Sequence, residues 1–513
     1  MKKIIFGLGV IFLALIIILN IIYTTQIDAG EHVTINFNSL IYILGLIVVG
    51  LAIFLVSKVI DKHLFNDTEK KNKHETRIIL FAISIVAYIA FMIVWNILVH
   101  PAIVGDSIHI CNLAQTFYTD NPYLYLSGNT YLGLPLYDYM QAYPQQIALA
   151  FVFSIIFHII NFELMYLLRV FNIICIVIMV IALYKITNQL SKTYKVNKVL
   201  MLVLTLTFLT IPMLSTFIYG DIPSLAFCLL AVYFMMKYTE TKKIRYPIFA
   251  TIFIMFSYMM RMNSLIFIIA TVIYLLLSLF KGCLKKTWKE NVTNIFVIIL
   301  YVAISILPTS LVQGYYSNKY DLDESKKYPT ISYILMAMEE GPRGNGWYSE
   351  DIAVSAIKDP EMAREEYPQR IKERLGYFTN NPGYAFQFYL DKITSMWTEN
   401  TYSAIMNNTL EDDTPINNLK TPLTFYQKAL LLVTFTCALI VLVQNRKNLS
   451  AEVIFLLTIF IGGFMFHILW EAKSRYIIPY IVVLIPIASI CIKKFNIKDW
   501  KVFREFSKSE EKA

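Results

Sequence analysis

Charge is what this sequence lacks: only 16% of its 513 residues are Asp, Glu, Lys or Arg. A water-soluble globular protein carries about 25%. With 57% hydrophobic residues and a mean hydropathy of +0.56, too little polar surface is left to face water. Disorder is excluded on the same figures, because it needs low hydrophobicity. Paired cysteines are missing as well. Cys111, Cys175, Cys228, Cys283, Cys437 and Cys491 stand singly, with no C-x-x-C and no Cys/His cluster. That argues against structural zinc, dithiol redox chemistry and disulfides. The apolar run behind Met1-Lys2-Lys3 continues to Tyr23 and no A-x-A site follows it. It reads as a retained first span, too long for a signal peptide. Repeats of solenoid period and a clear inverted repeat are absent too. What remains is an all-α polytopic membrane protein.

A helix needs roughly 20 apolar residues to cross the hydrocarbon core. Such runs cover 4–23, 39–60, 78–98, 165–186, 197–218, 222–238, 246–260, 263–280, 291–313, 427–444, 451–470 and 475–492, which predicts about twelve crossings. The run 145–162 is ambiguous, and the positive-inside rule decides it. Loop 61–77 carries Lys62, Lys70, Lys71, Lys73 and Arg77 and belongs in the cytoplasm. Segment 99–144 has neither Lys nor Arg and belongs outside. Lys185, Lys192, Lys195 and Lys198 return the chain to the inside. An odd number of crossings must separate the last two segments. The run 145–162 is therefore expected to be an interfacial or re-entrant helix, entered through Tyr143-Pro144. Both termini then fall in the cytoplasm. Of the 45 Lys and Arg residues, 29 lie inside, and 12 of the 16 outside sit in 314–428, where charge bias has little weight. The net charge of +9 is thereby a topology signal. It predicts contact with a lipid bilayer and no nucleic-acid partner. Four parts result: an N-terminal transmembrane hairpin with its cytoplasmic loop (1–77), a central transmembrane module whose first outer loop is 99–144 (78–313), an extracellular segment (314–426), and C-terminal helices with a basic tail (427–513). The third part is mainly helical, with stretches near 351–375 and 383–397.

Against this background a few charges are out of place. Arg169, Arg261, Lys473 and Arg475 fall in short outer loops or at outer helix ends, against the positive-inside pattern. Basic residues there are either snorkelling to headgroups or functional. Arg261 sits in the short turn Met260-Arg261-Met262-Asn263, and Arg475 opens the last span after Glu471-Ala472-Lys473-Ser474. A guanidinium at such a place can grip a phosphate bidentately, and a lipid phosphate is the natural ligand. Three acids share that face: Asp106 in Gly105-Asp106-Ser107, Asp221 in Tyr219-Gly220-Asp221, and Glu471. Either Asp in a loop can be a turn former or helix cap; their co-location with the arginines favours chemistry. The first outer loop adds Tyr123, Tyr125, Asn129, Tyr131, Tyr137, Tyr139 and Gln141, a set that suits either a sugar surface or an interfacial tyrosine belt. His109 and His467 have no second ligand at metal spacing and read as structural. No metal site or cofactor is assigned, and dependence on a divalent cation stays open.

Together these motifs resemble the GT-C superfamily of membrane glycosyltransferases, in particular the family of dolichyl-phosphate-mannose-protein mannosyltransferases and the aminoarabinose transferases. The likeness lies in Gly105-Asp106 early in a long first loop, Tyr143-Pro144-Gln145-Gln146 before a surface helix, Tyr219-Gly220-Asp221, Arg261-Met262-Asn263-Ser264, and Glu471-Ala472-Lys473-Ser474-Arg475-Tyr476. Gly346-Trp347-Tyr348, Asn381-Pro382-Gly383-Tyr384, Lys392 and Trp397 extend it into the outer segment. The chain departs from the family by an extra N-terminal hairpin and by the placement of its outer segment between spans. The resemblance implies inverting transfer of a sugar from a polyprenyl-phosphate donor to a hydroxyl of a cell-envelope polymer, lipid or protein, on the outer face. It implies Asp106 and Asp221 as the catalytic carboxylates, Asp106 to take the acceptor proton and Asp221 to orient the acceptor or the base. It implies Arg261 and Arg475 as donor-phosphate ligands, with Glu471, Lys473, Tyr219 and Asn263 in support. Two other classes compete. A polysaccharide polymerase or ligase shares the outer arginines and the long loop. A transporter or flippase of lipid-linked saccharide would carry polar residues at mid-membrane, where ionisable groups are scarce here.

Overall fold

The computed structural model describes residues 2–65, 72–99, 101, 103, 105–120, 135–159, 164–282, 288–408 and 417–492. The chain begins with α1 (Lys2–Ile22), which runs into an antiparallel hairpin of β1 (Tyr23–Ile27) and β2 (Val33–Phe37). Its β-branched residues favour the pleat, and Tyr23 pairs with Phe37 and Ile27 with Val33. Helices α2 (Leu40–Phe65) and α3 (Asn72–Leu98) follow. The first long loop then supplies α4 (Asp106–Thr119), α5 (Leu136–Ala142) and α6 (Gln145–Ile159). The last two meet at Tyr143-Pro144 with a bend of 120°. This is the break expected there, because Pro disfavours helix in the residue before it. Next come α7 (Leu164–Leu190), α8 (Lys198–Leu206) and the short α9 (Thr210–Met213), so the run 197–218 is one broken element. Three helices flank the two turns that hold candidate residues: α10 (Asp221–Thr241), α11 (Arg245–Met260) and α12 (Leu265–Gly282).

The long α13 (Trp288–Lys319) leads into the outer segment, which holds α14 (Ile331–Met336), the two-residue strands β3 (Glu340–Gly341) and β4 (Gly344–Asn345), α15 (Glu350–Lys358), α16 (Pro360–Asn380), α17 (Pro382–Trp397) and α18 (Ala404–Asn408). The stretch expected near 351–375 is thus two helices. Asp359 divides them, capping α16 by accepting from the Met362 amide at 2.9 Å. Helices α19 (Lys420–Gln444) and α20 (Ala451–Ile468) return to the apolar bundle. The last run, 475–492, is not one helix. It breaks into a 3₁₀ turn at Ser474–Ile477, then α21 (Ile478–Val482) and α22 (Ile485–Ala488), with Pro479 and Pro486 removing backbone donors.

Nine described helices are long and apolar enough to cross a membrane, and α11 and α12 are shorter apolar ones. The chain is therefore a mostly helical multi-pass membrane protein. The main core joins α1, α7, α10, α12, α19 and α20. A second core joins α4, α5 and α6 with the Ile218-Tyr219 and Met259-Met260 turns. The candidate residues sit where these two cores meet. The five described cysteines, Cys111, Cys175, Cys228, Cys437 and Cys491, are free thiols.

Candidate active site

Asp106 is the first residue of α4, with Gly105 as the N-cap, and no side chain caps that helix. Its carboxylate does something else. Oδ1 accepts from the Tyr139 hydroxyl at 3.1 Å and Oδ2 from the Tyr219 hydroxyl at 3.4 Å. Gln146 in turn donates to the Tyr219 oxygen at 2.7 Å. The helix-cap reading of Asp106 therefore fails, and two tyrosines hold the carboxylate in place. His109 stacks on Tyr139 with ring centroids 4.3 Å apart, which is a packing role.

Asp221 opens α10 and caps nothing either. Its Oδ1 lies 3.4 Å from Arg261 Nη2 and its Oδ2 3.7 Å from Arg475 Nε. One carboxylate thus serves two guanidinium groups. Among the described residues, Asp221 Oδ2 and Arg475 Nε are buried without a hydrogen bond. Aromatic faces fix both arginines. The Arg261 guanidinium lies 4.8 Å from the Tyr219 ring and 4.9 Å from the Tyr476 ring, and Arg475 lies 4.3 Å from Phe217. Cation–π attraction and stacking hold the planar groups in one orientation. Tyr219 therefore links the acid Asp106 to the arginine pair.

Gly220 explains how the two turns come so close. A Cβ there would stand 2.1 Å from the Met260 carbonyl oxygen, so no other residue lets Tyr219-Gly220-Asp221 lie against Met260-Arg261. Asn263 lines a cavity of about 20 Å³ with Asp221, Arg261 and Arg475. That is room for about one water molecule, and far too little for a sugar.

Glu471 and Lys473 approach from the other side. Glu471 is 4% exposed, and burial pushes its carboxyl up to about 7. Lys473 pairs with Glu31 at 2.7 Å, and Arg343 pairs with the other oxygen of Glu31. Burial works against the Glu31 carboxylate, yet Lys473 and Arg343 bring it down to about 2. Neither Glu31 nor Arg343 was singled out in the sequence. Glu31 lies in the turn Asp28-Ala29-Gly30-Glu31-His32, and an acid in a polar turn carries no signal. Arg343 lies in a segment where charge is common.

The family-like outer motifs converge here in part. The Ala472 amide donates to the Gly346 carbonyl at 2.7 Å. Gly346 has φ +73°, and a Cβ would meet the Lys392 side chain at 2.6 Å. Lys392 is buried and donates to the carbonyls of Ala337, Ile468 and Trp470, each at 2.9 Å. Its bonds to the Ile468 and Trp470 carbonyls satisfy acceptors at the end of α20. Trp397 packs in the main core, 5.4 Å from Phe464. Other candidates do not reach the network. Asn381 and Gly383 are exposed at the start of α17. Arg169 is buried and donates to the Pro101 carbonyl at 2.8 Å, so it is an anchor and does not snorkel. Tyr137 donates to the Asp321 carbonyl at 2.9 Å, and Gln141 accepts from the Asp323 amide at 2.9 Å. These two tie the first loop to the outer segment. Tyr123, Tyr125, Asn129 and Tyr131 lie outside the described residues.

Comparison with known proteins gives one family. Residues 144–306 match the family described as Dolichyl-phosphate-mannose-protein mannosyltransferase. That stretch holds Tyr219, Asp221, Arg261 and Asn263. Among solved structures the chain is similar to the oligosaccharyltransferase of Archaeoglobus fulgidus. The apo crystal structure shows 13% identity over 82% of this chain and 51% of that one, with a TM-score of 0.45. The form tethered to an acceptor peptide shows 12% identity over 86% and 48%, with a TM-score of 0.39. The archaeal oligosaccharyltransferase AglB with an inhibitory peptide and a dolichol-phosphate shows 13% over 75% and 49%, with a TM-score of 0.34. The chain spans about half the length of these structures. No curated protein matches it.

Proposed function

We propose that this chain, a membrane glycosyltransferase of the GT-C type by its match over residues 144–306, moves a sugar from a polyprenyl-phosphate donor to a hydroxyl acceptor of the cell envelope, with inversion, on the outer face of the membrane. The observation that carries this reading is the carboxylate of Asp221 shared by Arg261 and Arg475. Two guanidinium groups sharing one carboxylate keep N–H donors to spare, and a lipid-borne phosphate is an anion that suits them.

In the reaction the acceptor oxygen attacks the anomeric carbon as the bond from that carbon to the phosphate oxygen breaks. The bonding electrons leave with the polyprenyl phosphate, and Arg261 and Arg475 stabilise the growing negative charge. The acceptor proton passes to Asp106, whose carboxylate Tyr139 and Tyr219 hold in a fixed direction. Asp221 keeps the arginines apart and aimed. The positive-inside count supports an outward-facing site and cytoplasmic termini.

The test is incubation of membranes holding the chain with labelled undecaprenyl-phosphate sugars, followed by identification of the polymer, lipid or protein that gains label. Transfer present with the wild type and absent with Asp106→Asn supports the reading. Equal transfer by both, or none with any sugar tried, sinks it.

A further inference from the structure

The pattern of two cations sharing one carboxylate occurs twice. Asp221 stands between Arg261 and Arg475, and Glu31 stands between Arg343 and Lys473. The two sets adjoin, because Lys473 and Arg475 are two residues apart in one turn. In each, two cations share the oxygens of one carboxylate, and the buried Glu471 also feels Lys473 and Arg343. The second set is also the more open. Arg343 and Lys473 are 26% and 18% exposed at the side chain, against 9% for Arg475.

Donor capacity is left over. A guanidinium has five N–H groups and an ammonium three. Among the described residues, Glu31 is the one side-chain partner that Arg343 and Lys473 each bond. Arg343 is already oriented, with its guanidinium 4.8 Å from the Tyr348 ring. The Tyr348 hydroxyl is buried without a hydrogen-bonding partner and lies within the fields of Glu471, Arg343 and Asp106. Tyr348 thus feels both Arg343 of the second set and Asp106. Glu31 arrives from the N-terminal hairpin, which Val33 fixes in place by donating its amide to the Arg343 carbonyl at 3.0 Å.

We propose that Arg343 and Lys473 form a second anion-binding site, which takes a phosphate or carboxylate carried by the acceptor, with Glu31 as its displaceable internal occupant. The assignment to the acceptor rests on the reading above, in which the single phosphate of the donor occupies Arg261 and Arg475. An acceptor anchored at Arg343 and Lys473 then presents its hydroxyl toward Asp106. The extra N-terminal hairpin gains a purpose: its Glu31 occupies the second site until an acidic acceptor arrives.

The experiment uses the full chain in lipid nanodiscs, saturated with undecaprenyl phosphate and titrated with glycerol phosphate, with binding followed by intrinsic fluorescence. Arg343→Gln and Lys473→Gln should each weaken glycerol phosphate binding about tenfold or more, the scale of one lost charged hydrogen bond. Glu31→Gln should strengthen it by about tenfold, since the internal competitor is gone. Undecaprenyl phosphate binding should change by less than about threefold in all three variants. Arg343→Lys, which keeps the charge beside Glu31, guards against misfolding and should lose less than Arg343→Gln. Weaker or unchanged binding in Glu31→Gln would make the set a structural brace and overturn the proposal. Loss of glycerol phosphate binding once undecaprenyl diphosphate replaces the monophosphate would move the second anion to the donor and overturn the acceptor assignment. If undecaprenyl phosphate fails to bind the wild type while the glycerol phosphate series holds, the donor reading fails and the second site stands.

Discussion

Helix α10 carries a carboxylate cluster at each end, and the two differ in exposure, in the cations they hold and in how fully their atoms are bonded. At its first residue Asp221 lies between Arg261 and Arg475, with side chains 14%, 15% and 9% exposed. Nineteen residues on, about 29 Å along the axis, Glu240 accepts from Gln189 at 2.7 Å and pairs with Lys192 and with Lys237 at 3.2 Å. There Lys192 is 48% exposed and Glu240 34%. Solvent screens such pairs, and each contributes about 0–1 kcal/mol. At the first end, aromatic faces take the place of water, and the Arg475 Nε donor remains unbonded. A cluster built only for stability would satisfy its own atoms, as the Glu240 cluster does. The donor left unbonded at the first end is one that the proposed phosphate would take up.

The sharpest way to break this comparison is to ask which end faces out. Single cysteines at Ser325 and Ser191, both exposed, should give an all-or-none contrast with an impermeant thiol reagent on intact cells. Ser325→Cys reacts and Ser191→Cys does not. Ser349, in the same outer segment, is only 8% exposed and is a poor probe. Labelling of Ser191→Cys from outside would make α6 a full crossing and put the Asp221 cluster on the wrong side.

The next effect in size concerns the acids. Asp106→Asn should retain abundance and lose transfer by about 10²–10⁴-fold, the usual contribution of a general base. Asp221→Asn should be severe as well, because it releases both arginines. Glu240→Gln, on the same helix as Asp221, should leave the rate within about twofold. If the three variants transfer alike, the two ends are equivalent and the functional reading of the first is lost.

Burial gives a third contrast, through pH. Glu471 has its carboxyl raised to about 7, first by desolvation, against 4.5 for the free group. The folded state then holds a proton that the unfolded state releases. The associated stability is complete below about pH 4.5 and is lost as pH rises through 7, on the order of 3 kcal/mol in all. Glu31 has the opposite sign and a separate window, contributing above pH 4.5 and losing its share as pH falls toward 2. Glu471→Gln should therefore gain on the wild type between pH 4.5 and 8 in unfolding midpoint, whereas Glu240→Gln should differ from the wild type by less than about 1 kcal/mol throughout. A Glu471→Gln difference that does not change with pH would show the carboxyl to be ordinary.

The same contrast explains which residues could be read before folding. In a chain this poor in charge, Arg261 and Arg475 stood out against the positive-inside pattern, and Asp106 and Asp221 stood out beside them. The structure brings all four into one network through Tyr219. Glu31 and Arg343 lie in polar segments, where a charge is unremarkable, and only the docking of the hairpin on the outer segment reveals them. Hydropathy read the long spans well, since length and apolarity are all a crossing needs. It could not show that 475–492 is chopped by Pro479 and Pro486, because an apolar run looks alike whether helical or broken. Nor could it show that Tyr137 and Gln141 are loop ties, since a tyrosine facing a sugar and one facing a carbonyl have the same sequence.

The smallest of the expected effects bears most directly on what the arginines hold. Lys keeps the charge at Arg261 or Arg475 but has neither a plane to lie between the Tyr219 and Tyr476 rings nor a fork to span two oxygens. Its ammonium is also more strongly hydrated than a guanidinium. Losing a stacked contact and one charged hydrogen bond should raise the donor concentration for half-maximal transfer by about 10- to 100-fold, with abundance and sidedness unchanged. At the exposed end, Lys192→Arg should do nothing, because either cation reaches Glu240 through water. The measurement is transfer rate against donor concentration for Arg261→Lys, Arg475→Lys and Lys192→Arg. If the first two match the wild type, a point charge is all the first end requires. The arginines would then be anchors like Arg169, and the phosphate would have to bind elsewhere.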